Sequence, residues 1–231
     1  MFKLNYKKLL TFLSVFVLTL TSIVETTFAA DDTFATKECD PVQVVIHASY
    51  GGGTDTTARM MSIRSRRYLN ADMQIVGKRG GSGAKAQNYT LTRPKDGCTL
   101  MALTESHLYT LARKKSDMKI GDLVGIARAM EEPTFIVVNS KNTELSTIEK
   151  LIERSKKEPI LTAIANIGGT EHIGMYTYSK AAGVPFKAVS FGSGAQSVQA
   201  LASGKVEASL LNPSEAAALI DAGKVKAILL L

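Results

Sequence analysis

The sequence predicts an α/β fold, with mostly parallel sheets flanked by helices on both faces, and three observations carry that reading. Short apolar runs alternate with helical stretches along most of the chain. Glycine-rich turns stand where a run ends and a helix begins, at Gly51–Gly53, Gly80–Gly83, Gly168–Gly169 and Gly192–Gly194. Single glycines (Gly183, Gly204 and Gly223) then close the later helical stretches as C-terminal stops.

The pattern is organised around Ser49–Arg59. Before it stands the apolar run Val42–Ile46, and after it a stretch that reads as helix to about Leu69. Strand, triple-glycine turn and helix start in succession form an anion-binding device. The first helical N–H groups lack intrahelical partners and lie at the positive end of the helix dipole. The simpler reading is a tight turn without a ligand. Next come Met73–Val76 as a second strand and Arg79–Ala84 as a second glycine turn, with a helix ending near Pro94. Lys95-Asp96-Gly97 turns the chain into the strand that begins at Cys98, and Thr104–His107 follows that strand's C-terminal end, where open α/β sheets bind ligands. Residues 122–129 and 134–138 read as extended, and Ser146-Thr147-Ile148-Glu149 as a capping box. Three strand-to-helix units follow, turning at Asn166–Thr170, Phe191–Gly194 and Asn212–Ser214, and a last strand is expected at 225–231.

Composition limits the function. At 231 residues with 45% hydrophobic and 21% charged residues, the chain is globular and long enough for one large or two small domains. Residues 1–29 have the layout of a cleaved secretory signal: Lys3, Lys7 and Lys8 precede an apolar middle, and Thr27-Phe28-Ala29 suits a signal peptidase. An uncleaved anchor is the alternative. Residues 30–37 read as a loose segment. The formal charge of +7 favours anionic ligands but contains no Lys/Arg block of the kind that marks nucleic-acid binding. Export would let Cys39 and Cys98 form a disulfide, which is geometrically open to them if their strands are parallel neighbours. The three histidines show no metal-ligand spacing. The glycine turns fit neither a P-loop nor G-x-G-x-x-G, and Gly80–Ala84 only approaches G-x-S-x-G. No catalytic residue, metal or cofactor is expected.

Val44–Ile46 with Gly51–Asp55 and Ala58-Arg59 resembles the first strand and loop of the tripartite tricarboxylate transporter receptors, the periplasmic solute-binding proteins of the Bug/TctC type. The likeness continues through Arg79–Gly83, Pro94–Leu100, Gly168–His172, Val189–Ser193 and Ala222–Ala227. The resemblance implies a type II periplasmic binding protein-like fold with two lobes, at 38–128 and 132–224. Residues 225–231 would begin a return to the first lobe, which is expected to lack its last elements, as in a C-terminally truncated receptor. It implies an extracytoplasmic receptor that holds a small organic carboxylate between the lobes. The solute would be a di- or tricarboxylate, an acidic amino acid or an aromatic acid, delivered to membrane permease subunits. A truncated non-binding remnant is one alternative, and a secreted hydrolase using Ser82 or Ser193 is another.

Carried onto this chain, the resemblance places the carboxylate at Tyr50, Gly51, Gly52, Gly53 and Thr54 in the first lobe. In the second it uses Gly168, Gly169 and Thr170, with His172 beside them either as contact or as packing. Ser106, His107, Gly192 and Ser193 would reach the distal part of the solute. Asp55 is read as a helix cap and Arg59 as making a structural ion pair. This chain departs from the family pattern in having His47-Ala48-Ser49-Tyr50 before its glycines, and Cys98 in place of a usual Tyr.

Overall fold

The computed structural model describes residues 39–231, so the expected signal (1–29) and loose segment (30–37) lie outside the described residues. The first sheet is built from β1 (Val42–Ile46), β2 (Met73–Gly77) and β3 (Thr99–Met101), in the order β2-β1-β3, with both pairs parallel. The β-branched run of β1 takes the central place, as its near-complete burial requires. Crossovers bring helices α1 (Gly53–Ser62), α2 (Ser65–Leu69) and α3 (Ala84–Leu91) against this sheet, and α4 (Glu105–Ala112) follows β3. The single helix expected to Leu69 is broken at Ile63 and Arg64, and Asn70 ends α2 in the left-handed region at φ 51°. Cys39 and Cys98 form a disulfide at the starts of the neighbouring strands β1 and β3, with Cα atoms 5.0 Å apart.

The second sheet has five strands in the order β6-β5-β7-β4-β8. These are β4 (Phe135–Asn139), β5 (Ile160–Ile164), β6 (Phe186–Ser190), β7 (Ala208–Leu211) and β8 (Val225–Leu230). β5 pairs in parallel with β6 and β7, whereas β4 runs antiparallel to β7 and β8, so this sheet is mixed. Helices α5 (Ile148–Ser155) and α6 (Thr170–Ala182) cover one face, and α7 (Gly194–Ala202) and α8 (Pro213–Asp221) the other. Strand alternation divides the core between the faces. Ile136, Val138, Ile160 and Leu210 meet Leu151 and Met175 on one side, while Val137, Ala163 and Leu211 meet Val198, Leu201 and Ala216 on the other. Each of the larger side chains among them (Ile, Leu, Val, Met) contributes about 1.5–3 kcal/mol by leaving water.

Two expectations are corrected. Residues 123–134 form no strand: the chain makes a single turn at Ile120–Asp122 and runs on with Val124 88% and Ile126 78% exposed, because no strand lies beside it to pair. The cap of α5 is Thr147, whose Oγ1 accepts from the Lys150 amide, while Ser146 closes the preceding turn by donating to the Thr143 carbonyl. Residues 225–230 pair antiparallel with the free edge of β4 and extend the second sheet.

Candidate functional site

Every parallel strand ends in a loop that runs into a helix, and these loops meet where the two sheets face each other. The Thr170 amide donates to Ser106 Oγ at 3.0 Å, and the two hydroxyls lie 3.0 Å apart, so the start of α6 is tied to the start of α4. Ser82 Oγ donates to the Ile167 carbonyl. Ser49 Oγ donates to the Gly192 carbonyl at 3.3 Å, and a Cβ on Gly52 would lie 3.4 Å from Ser193 Cβ. The starts of α1, α4, α6, α7 and α8 therefore gather at one junction, each presenting partial positive charge.

Glu215 lies at the centre of this arrangement. It is the third residue of α8, in a capping box with Asn212, and the Asn212 amide donates to its Oε2 at 3.3 Å. The Gly53 amide at the start of α1 also hydrogen-bonds it. Its carboxyl group packs over Gly194, the first residue of α7, where any Cβ would collide with it. Burial raises the Glu215 pKa, the Asn212 and Gly53 amides draw it down, and the Glu132 charge pushes it up, leaving it above the usual carboxylate range. Glu171, in the first turn of α6, is pushed up to about 7 by burial, with a smaller rise from the Glu215 charge. Its Oε2 is buried without a hydrogen-bond partner among the described residues.

Two arginines complete the junction. The Arg79 guanidinium, on the loop after β2, lies over Gly192, with Nη2 2.9 Å from the position of a Cβ there. It makes no ion pair among the described residues. Arg113, just past α4, packs over Gly168 and is held by the Tyr109 carbonyl at 3.2 Å.

The residues singled out in the sequence fall into two groups. Gly52, Gly53, Ser106, Gly168, Gly169, Thr170, Gly192 and Ser193 all stand at the junction, and Thr54 follows in the first turn of α1. Most of their amides already have partners within the protein. Gly51 donates to Asp55 Oδ2 at 2.8 Å, Gly168 to His172 Nδ1 at 2.9 Å, Gly192 to the Ala165 carbonyl at 2.8 Å and Gly169 to the Asn166 carbonyl at 3.0 Å. Asp55, expected as a helix cap, accepts from the Gly51 amide ahead of α1, whose N-cap is Gly52 with no side-chain cap bond, and it pairs with Arg59 at 3.0 Å. Burial works to raise its pKa, but the Arg59 bond and the Gly51 amide outweigh that and hold it low.

The others turn elsewhere. Tyr50 is 60% exposed, its hydroxyl accepting from the Gly77 amide at 2.9 Å, so its ring lies along the end of β2. His107 is fully buried: its Nδ1 accepts from the Thr104 amide at 3.0 Å, and its ring packs on His47 at 4.2 Å, which corrects the expectation of a solute contact. His172 packs on Phe186 with its pKa lowered by burial and by Arg113. Ser193 Oγ caps α7 and Ser82 Oγ bonds a carbonyl. No histidine among the described residues hydrogen-bonds either hydroxyl. Sequence reading missed Glu171, Glu215, Arg79 and Arg113. The Asn-Pro-Ser-Glu cap was a visible signal for Glu215, but only the meeting of three helices gives it its place.

The family model of the tripartite tricarboxylate transporter family receptor matches residues 58–231. The chain belongs to this family. Protein BugT of Bordetella pertussis is 23% identical over 236 residues, covering 99% of this chain and 70% of its own length. Among solved structures, MatC from Rhodopseudomonas palustris with bound malate superposes with a TM-score of 0.72 at 22% identity, covering 83% of this chain and 66% of its own. The R. palustris protein Rpa4515 with adipate gives 0.69 at 22% identity, with coverages of 83% and 65%. This chain thus spans slightly less than two thirds of these solved relatives, with which it shares the α/β receptor fold.

Proposed function

We propose that the protein is an extracytoplasmic receptor that captures a small organic carboxylate at the junction of its two sheets and presents it to the permease of a tripartite tricarboxylate-type transporter. The observation that carries this reading is the gathering of five helix starts at the C-terminal ends of the strands, with an Arg79 guanidinium that has no ion pair among the described residues. Family membership and the carboxylates held by the two solved relatives support it. The two sheet regions would act as lobes that close by hinge motion, with the Ser106–Thr170 bonds clasping the loops together. Binding would be non-covalent, with the protein supplying dipoles and hydrogen bonds but no catalytic step.

Thermal melts with L-malate, succinate, adipate, citrate, L-aspartate and L-glutamate test this. A ligand that binds only the native state at about 100 times its Kd adds about 2.7 kcal/mol, enough to raise the midpoint by several degrees. At least one carboxylate is expected to do so, and Arg79→Ala is expected to weaken it about tenfold or more. A cooperative melt that no carboxylate moves contradicts the reading.

A further inference from the structure

We propose that the solute carries an ammonium group beside its carboxylate, the ammonium received by Glu171 and Glu215 and the carboxylate by Arg79. This rests on the receptor reading above and narrows its substrate class to amino acids.

Three observations lead there. The glycine-loop amides that a plain carboxylate would use are largely taken: Gly53 by Glu215, Thr170 by Ser106, Gly168 by His172 and Gly192 by Ala165. A dicarboxylate entering here would displace these bonds and also meet two carboxylates of its own sign. Second, Glu171 Oε2 is buried with no partner among the described residues, and an unpaired buried acceptor calls for a donor. An ammonium group offers three donors and a charge opposite to both carboxylates. Third, the opposite charges are laid out in sequence along one turn. The Arg79 guanidinium packs over Gly192 and the Glu215 carboxyl over Gly194, yet the two side chains do not pair with each other. Two residues of chain separate those glycines by at most about 7 Å, a spacing that suits the two ends of a small zwitterion.

Both Glu171 and Glu215 sit above the usual carboxylate range through burial, and a cation between them would bring both back down and release protons on binding. Arg113 is the nearby charge that could compete, but it is turned over Gly168 and bonded to Tyr109.

The test compares solutes that differ only by the ammonium: succinate with L-aspartate, glutarate with L-glutamate, propionate with L-alanine, and 3-phenylpropionate with L-phenylalanine. Calorimetric titration at pH 8 is expected to give at least one amino member a Kd tenfold or more below its partner's. Glu171→Gln and Glu215→Gln should each bring that pair within about threefold. Desamino acids that bind as well or better, or a preference that survives both substitutions, overturn the proposal. If no solute of either kind binds, the receptor reading itself has failed. Methylammonium chloride, followed by 13C NMR of the glutamate carboxyl carbons, then decides the cation site alone. Saturable displacement lost in Glu171→Gln sustains it, and no displacement overturns it.

Discussion

Acidification from pH 7 to pH 4 is expected to destabilise the protein by several kcal/mol through two buried histidines. His47 follows β1 and His107 sits in the first turn of α4, both buried and ring to ring. His47 Nδ1 and His107 Nε2 have no hydrogen-bond partners among the described residues. Burial lowers the His47 pKa to about 4. Burial and then the His47 charge lower His107 to about 3, against a small upward pull from the Thr104 amide. Both folded values lie below the unfolded value of about 6.5, so the stability these groups contribute is complete above that pH and is lost as pH falls through the folded values. At about 1.4 kcal/mol per unit, each costs about 3 kcal/mol by pH 4, a large part of the stability of an ordinary domain. Glu171 acts in the opposite sense. Its contribution is complete below about 4.5 and is lost as pH rises through about 7, so it offsets part of the loss. Urea unfolding at pH 7, 5.5 and 4 should show the decline, and Glu171→Gln should steepen it. Histidine 1H–13C spectra in which both rings titrate near pH 6.5 would rule out buried histidine as the cause of the decline.

Removing the Cys39–Cys98 disulfide is expected to cost about 2–4 kcal/mol. The bridge spans 59 residues, and closing a loop of that length removes much of the freedom of the unfolded chain. It matters because the first sheet has three strands and a small core, with Cys39, Val42 and Ala71 in one cluster and Val44, Ile46 and Ala58 in another. The second sheet is built on two larger clusters that contain neither cysteine. Urea unfolding of Cys39→Ala/Cys98→Ala against the oxidised protein measures the difference. Equal midpoints would mean that the bridge closes a loop already held in the unfolded ensemble.

Local chemistry made much of the fold legible. β-Branched runs, glycine turns and glycine stops mark the strands and most helix boundaries, because each depends on neighbours within a few residues. Asp55 reads as a cap from its place beside the helix start, and its bond to the Gly51 amide four residues back is local too, although it satisfies no helical amide. Long-range pairing was not legible. Residues 225–230 and 122–129 both read as extended in the sequence, but β4 offers an edge to one and nothing pairs with the other. The site divides the same way. The loops that form it follow from the strand-to-helix pattern, whereas the importance of Glu215 depends on Gly53 and Gly194 arriving from distant helices. His107 was misread because its position after a strand suggested the site, while the Thr104-to-His107 spacing of a capping box turned the ring inward.

Amide NMR spectra of the protein titrated with L-glutamate and with L-malate test most directly whether a solute is held at this junction. Saturable shifts are expected to cluster on Gly52, Gly53, Thr170, Gly192, Ser193 and Gly194 for whichever solute binds. Spectra that neither solute moves, or shifts gathered on the exposed stretch around Val124 and Ile126, would contradict a receptor site built from these helix starts.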